Sequence, residues 1–121
     1  MRSTIYLIIS CCLTLSFTTF ANDRVIESLE NAVDISGQWK YRVGDNAAWA
    51  SPSYDDSAWH HILVPQNWGK SKLSSDVDYL WYRLNVKIDR IAVDQKYLHR
   101  LSVYIGHVMS AYEIYVNGHR L

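Results

Sequence analysis

The sequence predicts an all-β fold, an antiparallel sandwich or barrel, and three observations carry the prediction. Apolar and polar residues alternate with a period of two in several short runs, most clearly over residues 81–88, the pattern of strands with one buried face. Turn-forming clusters such as Ser51-Pro52-Ser53 and Asn117-Gly118 separate those runs. No long stretch keeps the three- and four-residue spacing of an amphipathic helix, and short strands joined by turns close into sandwiches or barrels.

The first 21 residues read as an export leader. Arg2 gives a positive start, an apolar stretch runs over residues 5–9 and 13–20, and Thr19-Phe20-Ala21 has small residues at minus three and minus one, where signal peptidase reads them. A lipoprotein signal at Cys11 would leave only about five apolar residues before the cysteine. A membrane anchor needs roughly 20 apolar residues, and this run is shorter and diluted by Ser and Thr. The expectation is an exported chain, periplasmic or extracellular, with no membrane-spanning segment after leader cleavage.

Of 121 residues, 49% are hydrophobic and 20% charged, with 12 basic against 12 acidic, which places the chain among folded domains and not disordered tails. Zero net charge without a basic run argues against nucleic acid as a partner. Cys11 and Cys12 leave with the leader, so residues 22–121 hold no thiol. That excludes a disulfide framework, a cysteine nucleophile and a thiolate metal site.

Along residues 22–36, a lead-in, Ile26, Leu29 and Val33 have the spacing of a short amphipathic helix or belong to an extended segment. From Gly37, Trp39, Tyr41 and Val43 alternate with Gln38, Lys40 and Arg42 as a strand. Residues 44–59 read as a long turn, and Ile62-Leu63-Val64 as a brief strand stopped by Pro65. Residues 66–78 are polar and loop-like. Strands are then predicted over residues 81–88, 101–105 and 112–116. Asn117-Gly118 predicts a two-residue hairpin turn, because both central residues need positive φ. Only three residues follow it, too few to seal a sandwich edge, so the expectation is a fold truncated before its last strands or a last edge completed by another chain.

Gly37-Gln38-Trp39, Trp49, Tyr54-Asp55-Asp56-Ser57-Ala58-Trp59, Val64-Pro65-Gln66-Asn67-Trp68, Trp81-Tyr82-Arg83 and Tyr115-Val116-Asn117-Gly118 occur in an order that resembles the N-terminal sugar-binding domain of family 2 glycoside hydrolases. The resemblance covers about residues 35–121. It implies a galactose-binding-like jelly-roll β-sandwich over residues 37–121, related copies of which form the extracytoplasmic front of bacterial membrane sensors. It also implies missing downstream domains of a parent chain, glycosidase or sensor. The family's catalytic barrel and its two carboxylates are absent, so the resemblance implies no activity of this chain.

Trp68 and Tyr79, and less strongly Trp49, are the candidate ligand-stacking rings. All three fall in predicted loops, where a large ring has no periodic reason to be buried. Sugar rings present apolar C–H faces to aromatics, and Gln66, Asn67 and Asp78 stand nearby to orient hydroxyls. The expected partner is a mono- or oligosaccharide. The competing reading makes the Trp residues plugs over the ends of a structural or interaction module. Asp55 and Asp56 are read as turn residues bonding backbone amides over Trp59, not as metal ligands. Trp81-Tyr82-Arg83 is read as a strand with Tyr82 toward the core and Arg83 on the other face, paired with a carboxylate. No cofactor is expected; Ca²⁺ at Asp76 and Asp78 is a weaker alternative that the resemblance suggests. The histidines show no metal-binding spacing and no nucleophile motif is present.

Overall fold

The computed structural model describes residues 2–10, 24–65, 77–89, 101–108 and 110–121. Its strands are β1 (Arg2–Ser10), β2 (Arg24–Ile26), β3 (Gly37–Val43), β4 (His60–Val64), β5 (Tyr79–Ile88), β6 (Ala111–Val116) and β7 (His119–Arg120), with one 3-10 helix at Ala47–Ala50. The strands form a curled mixed sheet in the order β4-β3-β5-β1-β6-β7, with β2 also on β5. The protein is all-β, consistent with a sandwich. Among the described residues no helix is long and apolar enough to cross a membrane.

β5 is the hub. β3 pairs antiparallel with its first half, from Lys40↔Arg83 to Val43↔Leu80, and β2 pairs parallel with its end, from Arg24↔Val86 to Ile26↔Ile88. Along the other edge β1 runs parallel from Arg2↔Tyr79 to Ser10↔Lys87. Leu80, Tyr82, Leu84, Val86 and Ile88 point to one face and form the main core with Leu7, Ile26 and Trp39. Trp81 and Arg83 point to the other face and are equally buried, Trp81 beside Trp49 and Trp59. The alternation in β5 therefore separates two packed layers, not core from solvent. Each aliphatic side chain buried this way contributes roughly 1.5–3 kcal/mol.

Two expectations change and two gain detail. The sheet is mixed, not antiparallel, because β1 runs parallel to both β5 and β6. Residues 101–105 form no strand, since the two edges of β6 are taken by β1 and β7. The lead-in is extended: Asp34 accepts from the Ser36 amide at 2.8 Å, and Ile26, Leu29 and Ile35 lie on the main core. The long turn over residues 44–59 contains the 3-10 helix, whose Asn46 cap accepts from the Ala48 amide at 2.9 Å.

The hairpin at Asn117-Gly118 forms as the dipeptide predicts. β6 and β7 pair through Tyr115↔Arg120 and Val116↔His119, with φ of 50° at Asn117 and 84° at Gly118.

Candidate functional site

Trp49, Tyr54, Asp56, Trp59, Trp81, Arg83 and Tyr115 meet on the second face of β5, whereas Trp39 and Tyr82 lie in the main core on the first. Lys40 and Arg83 stand directly opposite in the β3/β5 ladder, an arrangement of like charges that destabilises a sheet unless an anion neutralises it. Asp56, buried, lies between them. One of its oxygens is 2.8 Å from Arg83 Nε and the other accepts from Lys40 Nζ. The rest of the Arg83 guanidinium donates to backbone carbonyls of the long turn: Trp49 at 3.0 Å, Ser51 at 3.1 Å and Pro52 at 3.3 Å. A buried guanidinium needs its donors met, and here one side chain holds residues 49–56 down on the sheet.

Beneath that turn the rings pack edge to face. Trp49 lies 5.4 Å from Trp59 and 5.7 Å from Trp81, with interplanar angles of 74° and 87°, a geometry aromatic pairs favour. Arg42 caps the Trp49 ring at 4.8 Å and donates to the Tyr54 hydroxyl at 3.1 Å. Trp81 stacks on Tyr115 at 5.7 Å, and its indole N–H donates to Asp45 at 3.2 Å. The Tyr115 phenol donates to Glu113 at 2.9 Å, and its pKa is raised by partial burial first and by that acidic neighbour second. The Trp59 indole N–H is buried with no acceptor among the described residues.

Asp55 holds its turn as expected. It accepts from the Ser57 amide at 3.0 Å, which lowers its pKa, while the Trp59 amide donates to the Asp56 carbonyl at 3.1 Å. The Asp56 side chain does something else. It serves as the counterion of Arg83 and Lys40. The sequence called for a carboxylate opposite Arg83 without saying which; the like-charged Lys40 and Arg83 were the signal that one acid must lie between two strands.

Of the candidate ligand residues, Trp49 is buried in the ring cluster. Tyr79 is half-buried at the start of β5, where its carbonyl accepts from the Gly44 amide at 3.0 Å, and Asp78 just before it is exposed. Gln66, Asn67, Trp68 and Asp76 lie outside the described residues. Tyr79 thus stands two residues before Trp81 on β5, with Gly44 bonded to its backbone. A cavity of about 10 Å³ between Lys40, Arg83, Leu84 and Asn85 has room for about one water. Among the described residues no three His, Cys, Asp or Glu side chains are grouped to hold a metal ion.

Comparison with protein families, curated proteins and solved structures finds no match to this chain in any of the three. The family 2 resemblance rests on the quoted motifs alone.

Proposed function

We propose that this chain is an exported, non-catalytic domain that binds a mono- or oligosaccharide. Trp68 and Tyr79 supply the stacking rings, and Gln66, Asn67 and Asp78 the hydroxyl partners. The observation that carries the reading is convergence. Trp49, Asp56, Trp59, Trp81 and Arg83 come from three of the motifs and form one assembly, and Gly118 of the Asn117-Gly118 turn approaches Ala50 and Pro52 of the turn that carries Trp49. Residues 77–79 lead into β5 beside it. Motifs that merely coincided in order would have no reason to meet.

The competing reading, a structural or interaction module without a small-molecule ligand, has its own support: the rings of Trp49, Trp59 and Trp81 are spent on one another. Calorimetric titration of the full chain and of Trp68→Ala with a panel of mono- and oligosaccharides separates the two. Saturable binding that disappears in Trp68→Ala at an unchanged thermal midpoint supports the sugar site. No binding across the panel, together with a lowered midpoint in Trp68→Ala, overturns it.

A further inference from the structure

β5 and β6 do not touch through a ladder; β1 lies between them. It pairs with β5 from Arg2↔Tyr79 to Ser10↔Lys87 and with β6 from Arg2↔Ala111 to Leu7↔Val116, parallel to both. Its Leu7 is buried in the main core. The segment that occupies this seat is also the segment whose composition marks it as an export leader. Strands in a sheet are about 4.8 Å apart, so its removal opens a gap of about 9.6 Å, one strand wide. The β6–β7 hairpin would then have no ladder to β5.

Residues 101–105 are suited to fill that gap. Leu101, Val103 and Ile105 alternate with Ser102 and Tyr104, a strand pattern that no ladder uses in this structure. From residue 102 on, the segment already keeps the matching orientation: Ser102 and Tyr104 are exposed, Val103 and Ile105 half-buried, and Val103 packs on the main core, while Leu101 at its start is exposed. Direction also fits. Five residues, 106–110, separate the segment from β6, a hairpin length, so a strand over 101–105 would run antiparallel to β6. Because β5 and β6 are parallel to each other, it would run antiparallel to β5 as well. The 12 residues 89–100 join the end of β5 to the start of that strand at the same end of the sheet. The result is an antiparallel meander needing no crossover, whereas the parallel arrangement around β1 requires one.

We propose that the seat between β5 and β6 is an exchangeable strand site, held by residues 2–10 in the uncleaved chain and taken by residues 101–105 once those residues leave. The second half rests on the leader reading.

Hydrogen exchange read by mass spectrometry on the full chain and on full-chain Leu7→Asp tests the seat. A charge at this core position drives residues 2–10 out. In the unsubstituted chain the amides of 2–10 are protected and those of 101–105 exchange freely. In Leu7→Asp the two segments trade places, 101–105 slowing by about a hundredfold, in the range of cooperative local openings, while β5 and β6 keep their protection. The double variant Leu7→Asp/Val103→Asp then loses protection in β6 and β7. Residues 101–105 that stay unprotected in Leu7→Asp, or a Leu7→Asp chain that unfolds outright, overturn the proposal. N-terminal sequencing of secreted protein decides the leader reading separately: a chain beginning at Asn22 upholds it, and one beginning at Met1 overturns it without moving the exchange result.

Discussion

Asp56 answers two cations with one carboxylate in a buried place, and this makes it the residue on which the second layer depends. Removing one partner from a buried ion pair leaves an uncompensated charge, at a cost of roughly 3–5 kcal/mol. Asp56→Ala is therefore expected to lower the urea unfolding free energy by about that amount. Asp56→Asn should recover little of it, since neutral oxygen cannot balance both Lys40 and Arg83. A loss below about 1 kcal/mol, the range of exposed pairs, would show that water reaches the cluster. Tyr82 gives a test of the opposite face. Burial, and secondarily Tyr41 nearby, raises the pKa of its phenol above the ordinary value. A group whose folded pKa is raised contributes stability below its unfolded pKa, about 10 for tyrosine, and loses it as pH rises toward the folded value. Tyr82→Phe should thus show a shallower fall in thermal midpoint than the unsubstituted chain above about pH 10. Parallel alkaline limbs would show that Tyr82 is not the group responsible.

At the scale of elements, the β6–β7 hairpin and the long turn over residues 44–59 support each other. A Cβ on Gly118 would meet Pro52 Cδ at 3.3 Å and the Ala50 carbonyl at 3.4 Å, and φ there is +84°. Gly118→Ala is expected to cost about 1–2 kcal/mol from the left-handed backbone alone, read as a drop in thermal midpoint. Asn117→Gly, which keeps positive φ accessible, should stay within about 1 kcal/mol of the parent. Gly44 plays the matching part at the other end of the turn. Its φ is +113° and a Cβ would stand 3.2 Å from the Trp49 ring. The hairpin was legible because a two-residue turn is local chemistry. The strand over 101–105 was misread for the complementary reason: alternation shows which residues suit a ladder, but a ladder forms only if an edge is free.

At the scale of the whole molecule, both packed layers share β5, so neither can loosen without the other. Trp81 and Arg83 anchor one layer and Leu80, Tyr82 and Leu84 the other, on successive residues of one strand. Unfolding followed by tryptophan fluorescence, dominated by the second layer, should have the same midpoint as unfolding followed by far-ultraviolet circular dichroism. Two separated midpoints would mean that the turn carrying Trp49 and Trp59 detaches before the sheet melts. The candidate binding residues divide at this scale too. Trp49 was placed among loop rings for lack of periodicity, yet it is buried, because loop rings are covered whenever a turn folds back across a sheet.

The sequence by itself determined the all-β class, the position of β3, β4, β5 and β6 to within a few residues, and the hairpin at Asn117-Gly118. It also determined that Tyr82 and Arg83 face opposite ways. Each of these follows from interactions between near neighbours: period-two alternation, the φ a dipeptide can adopt, and the divergence of successive side chains on an extended chain. Long-range packing alone sets the burial of both faces of β5, the pairing of Asp56 with Lys40 and Arg83, and the seat of residues 2–10 between β5 and β6. Those outcomes depend on which distant segments compete for the same edge, face or charge, and the energy of that competition is set by pairs far apart in the chain, which no local pattern records.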